Sequence, residues 1–181
     1  LWADSQPNSP VRIWDSQELR VLKEISIEDI LKEFPDLDPI DATLGPIGFV
    51  PGSYALSVNV SRNWIVVDPM TGKPARDILA GRVLKARSLA WDPLRRFVCA
   101  ISHDSVATAY DVHSATPQHE FPDRIAAANW SRDGQRLLLG TVENGLAIYD
   151  SASWQQLRHI ACSGRNDEGS CDISTDNRTL A

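Results

Sequence analysis

Four histidines and three cysteines are the residues of this chain best suited to metal, acid–base or nucleophilic chemistry, so their spacing is the first thing to read. A metal site built from local sequence needs donors in close pairs, as in CxxC or HExxH, because one turn or one helix face must aim two of them at one ion. His103, His113, His119 and His159 stand in separate contexts and form no such pair. Cys99, Cys162 and Cys171 are an odd set without a CxxC, which gives neither a ligand spacing nor a complete disulfide framework. Cys99, inside Phe97-Val98-Cys99-Ala100, reads as a small buried hydrophobe. Unpaired thiols favour a reducing compartment. The chain has no GxSxG elbow, no phosphate-binding P-loop and no dinucleotide-binding glycine pattern, which removes the commonest motif-bearing enzyme classes. The expectation is a protein without catalytic residues, metal or cofactor.

The carboxylates are arranged differently, for four of them recur at the ends of short apolar strands. These are Val11-Arg12-Ile13-Trp14-Asp15, Trp64-Ile65-Val66-Val67-Asp68, Ala107-Thr108-Ala109-Tyr110-Asp111 and Leu146-Ala147-Ile148-Tyr149-Asp150, spaced by 53, 43 and 39 residues. A second landmark, an apolar residue followed by a turn, occurs at Phe49, Trp91 and Trp130, and lies 19, 20 and 20 residues before the next terminal Asp. Recurrence of this kind marks the aromatic residues as packing and the aspartates as turn-formers that hydrogen-bond backbone N–H groups. It does not suggest a catalytic cluster.

Around these landmarks each unit reads as four short strands. In the fourth unit they fall near 125–130, 136–142, 145–150 and 155–161, with Asn144-Gly145 as a hairpin signal, since both positions of a type I′ turn need positive φ. In the third they fall near 85–91, 96–102, 105–111 and 118–121. Leu1-Trp2-Ala3 reads as the end of a strand, and the turn landmark returns at Ile173 just before the sequence stops inside another. Both ends are therefore expected to be cut. The resulting division is a partial unit at 1–25, an insertion at 26–45, units at 46–80, 81–123 and 124–163, and the start of another at 164–181. Within the insertion Ile27, Ile30, Leu31 and Phe34 are spaced by three and four, Ser26 is a natural N-cap with Asp29 three residues on, and Pro35 stops the run. A short amphipathic helix follows.

Bulk composition agrees with a folded domain. Hydrophobic residues make up 43% of the 181 and charged residues 23%, and no apolar run approaches the ~20 residues of a membrane span. The formal charge of −6, without a Lys/Arg cluster, argues against a nucleic-acid footprint. A cytoplasmic protein that binds neither membrane nor nucleic acid is expected.

The Trp14-Asp15 strand end, with Trp130-Ser131-Arg132-Asp133-Gly134-Gln135-Arg136-Leu137-Leu138-Leu139-Gly140, resembles the WD-repeat (WD40) family over almost the whole chain. The resemblance is thinnest in the second unit, where Val67 stands in the Trp or Tyr position. It implies an all-β fold, a β-propeller of four-stranded antiparallel blades, incomplete at both ends and carrying one short helical insertion. The Gly-His pair that precedes the innermost strand in that family is absent, so its hydrogen-bonded tetrad is incomplete here, although Asp104 occupies the hairpin Asp position. TolB-like and other bacterial propellers have similar Asp-Gly turns and are the alternative within the same fold. Joining Ala181 to Leu1 would give a closing spacing of 46 residues. A fragment of a larger ring fits better than a four-blade circle, because rings in this family resemble six to eight blades. Such a fragment is expected to leave strand edges open and to self-associate.

The resemblance implies a non-enzymatic scaffold or sensor that recruits protein partners. It also implies that blade connections and middle hairpins emerge on one face. Loops held by a rigid scaffold are where binding residues concentrate. On that face the candidates are Phe34, Asp36, Leu37, Asp38, Arg62, His103 and Arg165, with Trp154 as an outlier on the opposite side. For the inserted helix, packing of its apolar stripe on the scaffold competes with a role in shaping a partner surface. The competing function is a ligand-binding or catalytic propeller using its central channel, which would need ionisable groups on the innermost strands. Those strands offer Lys85, Arg87 and Asp172 beside the small run Ile125-Ala126-Ala127-Ala128.

Overall fold

A computed structural model of the chain describes residues 1–4, 9–40, 42–143, 145–161, 171, 172 and 174. It contains two compact units, residues 1–85 with 113–115, and residues 86–112 with 116–181.

The first unit begins with β1 (Trp2–Asp4), β2 (Val11–Trp14) and β3 (Val21–Ile25), an antiparallel sheet in that order. β2 alternates as a half-buried strand must, with Val11 and Ile13 inward and Arg12 and Trp14 partly outward. Helix α1 (Ile27–Glu33) follows immediately. β4 (Leu44–Phe49), β5 (Leu56–Val60), β6 (Asn63–Val67) and β7 (Leu84–Lys85) form a second antiparallel sheet, again in sequence order. One core joins the two sheets and the helix: Val11, Ile13 and Ile25 meet Leu56, Val58, Val60, Ile65 and Val67, with Ile30, Phe34 and Leu37 of the insertion buried among them. A fully buried side chain such as Ile30 is worth ~1.5–3 kcal/mol over its exposed state.

The second unit is one seven-stranded antiparallel sheet of β8 (Ser88–Trp91), β9 (Phe97–Ile101), β10 (Val106–Asp111), β11 (Pro117–Trp130), β12 (Arg136–Thr141), β13 (Gly145–Asp150) and β14 (Gln156–Ile160) in sequence order. β11 has 14 residues and does two jobs. Its first half pairs with β10, from Tyr110↔Pro117 to Val106↔Arg124, and its second half pairs with β12, from Ile125↔Thr141 to Trp130↔Leu137. Two four-stranded meanders therefore share one strand.

Two sequence expectations change here. The separate strands placed at 118–121 and 125–130 are one strand, which runs through Pro122-Asp123-Arg124 without turning, Pro122 holding its φ in the extended region. Lys85, placed on an innermost strand at 85–91, instead pairs with Asn63 on the outer edge of the preceding sheet. A 3-10 turn at Leu79–Gly81, with Leu79 and Ala80 at φ 52° and 49°, carries the chain back to make that fourth strand.

Turns repeat as closely as strands. Asp15, Asp68, Asp111 and Asp150 each donate a backbone N–H to the carbonyl five residues on, at 2.9–3.0 Å. The fourth residue after each, Leu19, Gly72, Ala115 and Trp154, is left-handed, with φ of 52°, 75°, 54° and 56°. The side chains of Asp15, Asp68 and Asp150 accept from the N–H groups two and three residues ahead at 2.8–3.2 Å. The aspartates thus do the turn work their spacing implied.

A second turn type ties the two meanders of the second unit together. Asp92, wholly buried, accepts from Arg96 Nε at 2.7 Å and from the N–H groups of Leu94 and Arg96. Arg96 Nη2 then donates to Gly134 O at 2.6 Å and Ser151 Oγ at 3.3 Å. Gly134 has φ 69°, and a Cβ there would sit 2.5 Å from Asp92 Oδ1, so both backbone and space demand glycine. Trp130 adds a bond from Nε1 to Ala90 O at 3.0 Å.

Candidate functional site

The insertion behaves as its spacing implied. Ser26 caps α1 reciprocally, its Oγ accepting from Asp29 N at 3.1 Å while its own N–H donates to Asp29 Oδ2 at 3.4 Å. Ser26 Oγ also donates to Asp29 Oδ2 at 3.0 Å, and this hydroxyl bond, followed by the backbone N–H one, holds the Asp29 carboxyl below its ordinary range. Ile30 and Phe34 face the core on one stripe. Lys32 stands in the last turn, where a cation suits the helix dipole.

At the loop end of this unit the connections converge. Thr43 N donates to Ser61 Oγ at 2.8 Å and Ser61 N donates to Thr43 O at 3.0 Å, so the end of the insertion is clamped to the β5–β6 hairpin. That hairpin turns in two residues, with Val60 paired to Asn63. Ser61 and Arg62 therefore both carry positive φ, 45° and 72°, a conformation usually given to Asn-Gly. Asn63 Nδ2, donating to Ser61 O at 3.2 Å, supports it. Arg62 is left exposed at the tip. Beside the clamp lies a cleft of about 310 Å³, walled by Ser9 and Pro10 of the β1–β2 connection, Ile27 and Glu28 of α1, and Ala42 and Leu44 of the insertion.

The candidate residues separate accordingly. Phe34 and Leu37 are 3% and 4% exposed and belong to the core, which removes them from any contact surface. They sit on the apolar side of the segment, and a hydrophobic residue of that size lowers free energy more against the sheets than in water. Asp36 and Asp38 are exposed on the same segment, Asp38 Oδ1 accepting from Ile40 N at 2.9 Å. Arg62 is exposed at the tip of the β5–β6 hairpin. His103 is exposed in the β9–β10 hairpin of the second unit, whose turn residue Ser105 has φ 66°. Arg165 lies outside the described residues, as does Asn144 of the proposed hairpin. Trp154 is only partly exposed and packs edge-on to Phe97 and Phe121 and flat on His119, with centroids 4.9, 5.9 and 5.7 Å away. The cleft itself was missed. Its members Pro10, Ile27, Ala42 and Thr43 carry no motif, and the only sequence signal was the convergence of three connections.

Cys99 and Cys171 are both buried. Burial pushes the Cys99 thiol up to about 12, and burial also raises that of Cys171. Neither is a thiolate near neutrality. Arg87 commits Nη2 to the carbonyls of Ile125 and Ala126, at 2.8 and 2.9 Å. Asp172 accepts from Asn129 Nδ2 at 2.9 Å. Among the described residues no group of three or more His, Cys, Asp or Glu could hold a metal ion, and no helix is long and apolar enough to cross a membrane.

No protein-family model matches the chain, and no curated protein matches it. Its backbone is similar to that of 751 solved chains, a breadth that points to a widely used architecture. One of them is hydrazine synthase of Kuenenia stuttgartiensis, with a TM-score of 0.59 and 20% sequence identity over 74% of this chain and 40% of that one. The chain thus spans less than half the length of that neighbour, and at such identity the likeness concerns the fold. The protein is a mostly β chain of antiparallel, sequentially ordered sheets.

Proposed function

We propose that the chain is part of a divergent WD-repeat β-propeller and serves as a non-enzymatic platform for protein partners, docked at the loop end of the first unit. The blade reading draws on the four-stranded up-and-down meanders and on the same Asp turn at the end of β2, β6, β10 and β13. The docking reading rests on one observation, the clamping of residues 26–45 to the strained Ser61-Arg62 hairpin beside an open cleft. Backbone held in a sparsely populated conformation at an exposed tip is a pattern of binding sites. A catalytic channel is the weaker reading, since Arg87 and Asp172 are already engaged by neighbouring protein groups.

Removing residues 26–45 would be a poor test, because it strips Ile30, Phe34 and Leu37 from the core. Exposed positions serve better. Asp36→Lys with Arg62→Glu should leave far-UV circular dichroism and melting unchanged while abolishing co-purification of a partner captured by the full-length protein. An unchanged partner set would refute the docking site. Counting four-stranded repeats along the full-length protein tests the propeller, and turnover of a small substrate by that protein would favour the channel.

A further inference from the structure

We propose that the occupant of the loop-end cleft is a basic segment of a partner protein that carries an apolar anchor. The inference rests on the docking reading above and adds the chemistry of the partner. Residues 26–45 hold six carboxylates, Glu28, Asp29, Glu33, Asp36, Asp38 and Asp41, against one cation, Lys32. That is a formal −5 of the −6 carried by the chain, so the other 161 residues are close to neutral. The acidity of this protein is a property of one segment.

Little of that charge is neutralised internally. Lys32, the single cation, pairs with Asp29 at 3.7 Å, and Asp29 also holds the helix cap. Glu28, Glu33, Asp36 and Asp38 are exposed and form no ion pair among the described residues. Concentrated like charge destabilises the segment that bears it and attracts a complementary partner from a distance. The cleft beside the segment has apolar walls in Pro10, Ile27, Ala42 and Leu44 and polar ones in Ser9, Ser26, Thr43 and the carboxylate-bearing Glu28, and its volume suits one large side chain. Ile40, 76% exposed, is a second apolar side chain on the same segment. Lys or Arg on the partner would answer the rim and set register, while a Leu, Met or Phe would fill the cleft and supply most of the affinity. The same carboxylates repel the phosphates of nucleic acid.

The test uses the full chain and three labelled synthetic peptides in fluorescence anisotropy. One has Lys and Arg around a central Leu-Phe pair, one replaces its basic residues by Glu, and one replaces Leu-Phe by Ser-Ser. The first should bind, the second should not, and the third should bind at least about tenfold more weakly. Glu28→Gln/Asp36→Asn/Asp38→Asn removes charge while keeping the Asp38 side-chain acceptor, and Ala42→Trp fills the cleft. Each should weaken the first peptide about tenfold, and raising salt should weaken it in the parent but little in the neutralised variant. Absence of binding, or binding indifferent to both variants, overturns the proposal. Sensitivity to charge alone, with Ala42→Trp neutral, overturns the anchored cleft. Should no basic peptide bind while Asp36→Lys with Arg62→Glu still loses its captured partner, the basic chemistry falls and the docking site stands.

Discussion

The two units fill the space beside their sheets by different means. In the second unit side chains of one meander meet those of the next: the Asp92 turn is tied through Arg96 to the Gly134 turn, and Trp130, Phe97, Phe121 and Trp154 form one aromatic cluster, Phe97 flat on Trp130 and Trp154 edge-on to Trp130 and Phe121. In the first unit a non-repeating insertion does the work, with Ile30, Phe34 and Leu37 wedged against both sheets. The polar groups of Asp92 and Arg96 are taken up in holding the fold. The insertion buries one stripe, while its Glu28, Glu33, Asp36 and Asp38 are exposed and its two ends help to wall a cleft. A buried apolar stripe and a run of exposed carboxylates are thus combined in one 20-residue segment.

The largest expected effect tests whether the insertion is integral. Phe34→Ala should cost about 3–5 kcal/mol, since a large buried aromatic is deleted from a filled core. Urea titration gives the number, and hydrogen exchange should show protection falling in the first unit more than in the second. A loss under about 1 kcal/mol would mean that the insertion merely rests on the sheets. Gly134→Ala comes next, at about 3 kcal/mol, combining a left-handed backbone with a Cβ pressed on Asp92. If its urea midpoint matches the parent, the Asp92 turn is more pliant than its geometry implies.

Arg96→Ala should cost about 2–3 kcal/mol, because it leaves the Asp92 carboxylate buried without its cation, moderated by the 39% exposure of the Arg96 side chain. Arg96→Lys should recover only part, since one ammonium cannot reach Asp92, Gly134 and Ser151 together. Full recovery would assign the effect to charge alone. The smallest effect is a shared acid sensitivity. Asp15, Asp133 and Asp150 are held below the ordinary 3.8, Asp15 chiefly by the N–H of Glu18, Asp133 by Ser131 and Asp150 by Ser153. Carboxylates depressed in the folded state stabilise it above that ordinary value, and the contribution is lost as pH falls through their own lower values. The urea midpoint should therefore decline below about pH 4. Asp150→Asn should flatten that decline, and an unaltered slope would separate the turn bonds from acid stability.

Much of the local structure was legible in the residues. Four Asp-terminated strands, the Ser26 cap and the Pro35 stop all correspond to observed elements, because each rests on interactions within five residues. The boundary at Lys85 and the continuity of β11 were not legible. Both depend on which strand a segment pairs with, and an extended peptide looks the same on either side of that choice. Trp154 shows the same limit: it sits at the left-handed position of its turn, where Leu19, Gly72 and Ala115 stand elsewhere, and only packing on His119 and Phe97 explains an indole there.

For function the division is sharper. Sequence alone determined an all-β chain of recurring strand-and-turn units with one amphipathic interruption, since periodicity, capping and turn chemistry are short-range. Tertiary structure decided that Phe34 and Leu37 are core while Asp36 and Asp38 are surface, and that Thr43 meets Ser61 beside a cleft. Those outcomes depend on residues 18 positions or more apart arriving at one place, and only the packed chain brings them together.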